Sequence, residues 1–61
     1  MVLVFYNISG EIVNREFSVS EVLFDRDNNR FYFSKINDKK SIIEPHSLKL
    51  DDYYHNFKVD L

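Results

Sequence analysis

The sequence predicts a small, mainly β domain, a single antiparallel barrel or meander of five to six strands with a short helical turn near the C-terminus. Three observations carry this expectation. Val, Ile, Phe and Tyr supply 21 of the 61 residues while Ala, Thr, Gln and Trp are absent, and such stiff or aromatic side chains fit a pleated surface better than a helix. Turn-forming clusters at Ser9-Gly10, Arg26 to Asn29 and Asn37 to Lys40 separate short apolar runs. Within several of those runs the side chains alternate with the period of two that a strand requires.

Taken in order, Val2 to Ile8 is almost continuously apolar, as in a strand covered on both faces, and Ser9-Gly10 supplies a reversal because glycine accepts positive φ. The return strand, Glu11 to Val19, sends Val13, Phe17 and Val19 to one side. Arg15 also falls on that side, which implies a bulge or a sheet edge. Glu21 to Asp25 is a short apolar strand. Arg26 to Asn29 is the next turn, its side chains able to bond their own backbone. Arg30 to Ile36 returns with Phe31 and Phe33 on one face and Tyr32, Ser34 and Ile36 on the other. After the turn at Asn37 to Lys40, Ser41 to Glu44 is a strand that Pro45 is expected to stop.

The C-terminal third carries two patterns. Leu50, Tyr53, Tyr54 and Phe57 recur at the spacing of one helix face, whereas Phe57, Val59 and Leu61 alternate with Lys58 and Asp60. The first reading is a helical turn near 46–48 or 51–55 followed by a closing strand. The alternative is an α+β fold, with one helix from Ser47 to Phe57 packed on a meander.

Length and charge bound the function. A chain of 7.4 kDa folds as one domain, residues 1–61, and is expected to expose about 4,200 Å². There is no cysteine, so neither a disulfide nor a thiolate metal site can reinforce so small a core. Eight basic against ten acidic side chains give a net charge of −2, which disfavours binding driven by phosphate neutralisation. Met1 to Tyr6 is too short and lacks the basic flank of a secretion signal, and no run approaches the roughly 20 residues of a membrane helix, so a cytoplasmic location with no membrane partner is expected.

The order of these segments resembles the SH3 domain pattern over residues 2–50. Val2-Leu-Val-Phe-Tyr6 is similar to that family's Ala-Leu-Tyr-Asp-Tyr, and Glu16-Phe-Ser-Val-Ser-Glu-Val-Leu23 to its Glu-Leu-Ser-Phe segment. Asp27-Asn-Asn-Arg-Phe-Tyr32 resembles the acidic turn and Trp-Trp, and Ile42-Ile-Glu-Pro-His-Ser-Leu48 the Pro-Ser-Asn-Tyr segment. The resemblance implies an SH3-like barrel with a peptide groove lined by Tyr6, Phe31 and Pro45. The chain departs from the pattern at Val4 and Leu48, where groove tyrosines belong, and at Phe31, which lacks the indole donor that grips a polyproline helix.

The patterns that carry chemistry elsewhere are incomplete. Asp25-x-Asp27-x-Asn29 opens like a calcium loop, but Arg30 stands where glycine is needed and Ile36 where a bidentate glutamate is needed. His46 and His55 lie nine residues apart, a spacing that suits no ligand pair on one helix face. Six serines and two histidines form no nucleophile motif, so the chain is expected to be neither an enzyme nor the holder of a metal or cofactor.

Ten aromatic and sixteen Val, Ile and Leu side chains exceed what one small interior can hide, so some rings among Tyr6, Phe24, Tyr32, Tyr53 and Tyr54 are expected outside. The expected function is a protein-binding module with an aromatic and acidic surface, its candidate residues being Tyr6, Phe31, Tyr32, Pro45, Tyr53 and Tyr54. The partner would be another protein or a second copy of the chain. The composition resembles that of small modulators or inhibitors of larger proteins from AT-rich bacterial or bacteriophage genomes. The alternative is RNA or single-strand binding through an aromatic and basic strand, using Arg30, Tyr32, Lys35, Lys39 and Lys40.

Overall fold

The computed structural model describes residues 1–61 and contains six strands and no helix: β1 (Val2–Tyr6), β2 (Ile12–Glu16), β3 (Val19–Asp25), β4 (Arg30–Asn37), β5 (Ile42–Lys49) and β6 (Asn56–Asp60). They form two antiparallel three-stranded sheets in the orders β2-β1-β6 and β3-β4-β5. The mainly β expectation therefore holds, but the two sheets do not close into one barrel. With no helix present, none is long and apolar enough to cross a membrane.

Asn or Asp heads four of the five connections, because a short side-chain oxygen can accept from backbone N–H groups that a turn leaves unpaired. Asn7 Oδ1 accepts from the N–H of Ser9 at 3.0 Å and of Glu11 at 2.9 Å, with Gly10 at φ 81° completing the turn. Asp25 accepts from the Asn28 side chain at 2.8 Å, and Asn37 from the Lys40 N–H at 3.3 Å. These two turns end on left-handed Asn29 and Ser41. Asp51 Oδ1 accepts from both Tyr53 and Tyr54 N–H, at 2.9 and 2.8 Å.

That last arrangement replaces the helical turn expected at 51–55, and the rival helix from Ser47 to Phe57 is absent as well. Asp51 makes the bonds of a helix N-cap, but the His55 N–H donates to the Tyr6 carbonyl and the Asp52 carbonyl accepts from the Ile8 N–H, both at 2.8 Å, so strand β1 and its turn take the groups that would carry a helix on and the segment enters β6. Ser47 and Lys49 lie in β5 instead. The helix-like spacing of Leu50, Tyr54 and Phe57 reflects three side chains that do point inward, carried there by a bend rather than by helical periodicity.

Pro45 does not stop its strand. β5 runs on to Lys49, and Pro45 pairs with Ser34 within it. An edge strand tolerates proline because the missing N–H can belong to the unpaired side. β2 is also shorter than expected, ending at Glu16. Ser18, at φ 59°, then turns the chain out of one sheet and into the other, so Phe17 is exposed while Val19 reaches the core. Of the two readings offered for Arg15, the edge is the one observed: β2 is an edge strand and Arg15 pairs in regular register with Val4, whereas the register shift lies at Val13, opposite Phe5 and Tyr6.

Backbone bonds tie the sheets together where Met1 meets Val19. The Met1 ammonium donates to the Val19 carbonyl at 2.9 Å and the Val19 N–H returns the bond to Met1 at 3.0 Å. Within the second sheet the Leu50 N–H donates to the Asn29 carbonyl at 2.9 Å, and the Asn29 side-chain amide donates to the Leu50 carbonyl at 2.8 Å, extending the β4–β5 ladder past Arg30 and Lys49. Leu3, Phe5, Val19, Phe31, Phe33 and Leu50 form the core between the sheets. Phe5 meets Phe31 edge-on at 5.7 Å and Tyr54 edge-on at 5.3 Å, the offset geometry that aromatic quadrupoles prefer.

Candidate docking face

Alternation along β4 sends Phe31, Phe33 and Lys35 inward and Arg30, Tyr32, Ser34 and Ile36 outward. Register extends each outward residue across its neighbours, since directly opposed residues share a face. Tyr32 stands between Leu23 and Ser47, Ser34 between Glu21 and Pro45, and Ile36 opposite Ile43. The outer face of β3-β4-β5 thus bears Leu23, Tyr32, Ile36, Ile43 and Pro45 as one continuous strip. Leu23 is 66%, Ile43 64% and Tyr32 37% exposed. A shallow groove runs beside Leu23, Tyr32 and Pro45.

The strip is bordered by charge. Glu21 and Asp25 lie on β3, Arg30 on β4 and Lys49 on β5, with Arg30 in register with both Asp25 and Lys49. None of these four joins an ion pair; the three pairs in the chain are Lys35–Glu16, Lys40–Glu44 and Lys58–Asp60. The Arg30 guanidinium instead donates to the Ser47 hydroxyl at 3.4 Å. Asp25 is held below the ordinary aspartate value, chiefly by the bond from the Asn28 side chain, which with the backbone N–H groups of Asn28 and Asp27 outweighs the opposing effect of desolvation.

The residues anticipated as binding groups divide between this face and other places. Tyr32 and Pro45 are on it and exposed. Phe31 is not: at 1% exposure it is a core side chain, which corrects its assignment to a groove. Its ring meets Phe5 and Phe57 between the sheets, because the strand's alternation gives that face to the interior. Tyr6 is half-buried on the outer side of β1, and its carbonyl accepts from the His55 N–H at 2.8 Å. Tyr54 is half-buried against Phe5, while Tyr53 is exposed beside β2, its hydroxyl 3.5 Å from the Val13 carbonyl. Phe17, Phe24, Tyr32 and Tyr53 are the four exposed rings.

The basic set is likewise dispersed. Arg30 and Tyr32 share the outer face, but Lys35 points inward and donates to Glu16 at 2.8 Å, bridging the two sheets. Lys39 and Lys40 lie in the turn beyond β4, with the Lys40 ammonium 4.0 Å from Glu44. With Phe31 and Phe33 enclosed, one ring remains on that side of β4 for a base to stack on.

Around the inter-sheet bridge lies a polar cluster. Burial raises the affinity of Glu16 for a proton, yet the bonds from Lys35 at 2.8 Å and Asn14 at 3.0 Å and the charges of Lys35 and His46 outweigh this. Its carboxyl is held below the ordinary value of 4.5. His46 stacks on Phe33 at 5.0 Å, whereas His55 belongs to the bend before β6. No three His, Asp or Glu side chains converge as metal ligands.

Sequence reasoning looked for rings and passed over the aliphatic half of the face. Leu23, Ile36 and Ile43 supply most of its exposed apolar area. The signal was present in Ile42-Ile43: two consecutive isoleucines in one strand must face opposite ways. The chain matches no protein-family profile, no curated protein and no solved structure.

Proposed function

We propose that this chain is a small protein-binding module whose docking surface is the outer face of β3-β4-β5. The observation that carries the reading is the continuity of Leu23, Tyr32, Ile36, Ile43 and Pro45 across three strands with no element of the chain packed over them. Singly exposed apolar residues need no explanation, but a contiguous patch with a charged border has the composition of an interface. Adjacent first and last strands and the β3-β4-β5 meander support an SH3-like relationship at the level of architecture. The mode of recognition differs, because Phe31 is enclosed and the groove implied by the resemblance is not assembled.

The test is retention of protein by the immobilised chain, compared with Ile43→Lys and Leu23→Lys. Both variants alter exposed side chains and are expected to keep the melting temperature within a few degrees. Loss of retention in both supports the face. Unchanged retention in both would falsify it. Retained RNA whose binding falls steeply between low and moderate salt favours the nucleic-acid alternative, since phosphate contacts release counterions and an apolar interface does not.

A further inference from the structure

We infer that the occupant of this face is a second copy of the chain, packed face to face about a two-fold axis running parallel to the strands. The inference rests on the docking-face reading and specifies its partner. The folded chain exposes 4529 Å², somewhat more than the roughly 4,200 Å² that a monomer of this mass is expected to leave in water. Only seven of 61 residues are buried, so a second layer over the strip adds to a core that is small by itself.

Charge then selects the partner and its orientation. The acidic groups of the face, Glu21 and Asp25, are on β3, while the basic groups, Arg30 and Lys49, are on β4 and β5. An axis along the strands lays β3 of one copy over β5 of the other. Asp25 then stands over Lys49 of the second copy, and the symmetry repeats the contact, while the two Arg30 side chains meet at the axis, each with Asp25 of its own chain beside it. An in-plane axis across the strands would instead place Glu21 over Asp25 twice.

Area sets the strength. Three strands about 4.8 Å apart and about seven residues long, at roughly 3.4 Å per residue, offer a few hundred Å² per copy. The total falls at or below the lower end of specific interfaces, so the dimer is weak and its population depends on concentration.

Sedimentation equilibrium from about 5 to about 500 µM covers the expected range. The native chain should move from 7.4 kDa towards twice that mass, while Ile43→Lys should remain at 7.4 kDa throughout. Asp25→Lys and Lys49→Glu should each weaken association at least about fivefold, and their equimolar mixture should recover it, because the mixed dimer restores both opposite-charge contacts. If loss of the Asp25 turn bond unfolds its variant, Lys49→Glu and Ile43→Lys carry the test alone. A native chain that stays monomeric to the highest concentration overturns the inference, as does a dimer unaffected by Ile43→Lys. If a monomeric native chain retains another protein and Ile43→Lys does not, self-association fails while the docking face stands. If retention is unchanged in both Lys variants, both readings fail.

Discussion

The two sheets are built alike and finished differently on the outside. Each places a central strand between two edges and turns its inner face to a shared aromatic core. In β2-β1-β6 the outward residue at the centre is Val4, in register with Arg15 and Lys58, and it is only 5% exposed. Lys58 in turn lies 3.4 Å from Asp60 on the same face. In β3-β4-β5 the corresponding residue is Tyr32, flanked by Leu23 and Ser47, and it remains open. Long charged side chains can cover an apolar neighbour with their stems while their heads stay in water; a leucine and a serine cannot. One sheet carries its own cover and the other leaves an apolar strip for a second macromolecule.

The largest effect should come from the core that both sheets share. Phe5→Ala removes a fully buried ring against which Phe31, Phe33 and Tyr54 pack, and should cost about 3–5 kcal/mol, comparable to the whole stability of so short a chain. Loss of the cooperative transition in circular dichroism or urea titration is the expected readout. A variant with a near-native midpoint would mean that the two inner faces are not mutually dependent.

The contrast itself is tested by truncating the two central outward residues. Val4→Ala should cost about 2 kcal/mol and Tyr32→Ala less than about 1 kcal/mol, the latter with a clear loss of association. Equal costs in denaturant would erase the distinction between a covered and an uncovered face.

Local chemistry supplies smaller effects. Asp51→Ala removes the acceptor for two N–H groups and should lower stability by about 1–2 kcal/mol, with Asp51→Asn recovering most of it. Glu16→Gln should cost about 1 kcal/mol by weakening the bridge to Lys35. Because the folded-state value of Glu16 lies below the unfolded 4.5, its contribution is complete above that pH and declines as pH falls through 4.5 and the lowered folded value. Comparing native and Glu16→Gln melting between pH 7 and 3 should show the two curves converging in acid. Parallel curves would show that the bridge does not couple the sheets.

How much of this was readable in advance depends on whether the determinant is local. Turns were readable at Arg26 to Asn29 and Asn37 to Lys40, because Asp25, Asn28 and Asn37 bond within four residues of themselves. The division of β4 into a Phe31–Phe33 face and a Tyr32–Ser34–Ile36 face was readable too, since alternation is a property of the extended backbone. The bend at Asp51 was obscured by a coincidence: Leu50, Tyr54 and Phe57 all reach the core, and their spacing imitates a helix. Pro45 misled because a proline says that one N–H is missing, not whether that position faces solvent or a neighbouring strand.

The amino-acid sequence by itself determined the β character of the chain, its reversals and the pairs of side chains that must share a face. Only the tertiary structure decided which face met the other sheet, placing Phe31 inside and Tyr32 outside, and set Val4 between Arg15 and Lys58. The reason is physical: a period of two identifies two faces but is symmetric between them. Their inequality arises only when strands distant in sequence bring their own side chains alongside or leave them out.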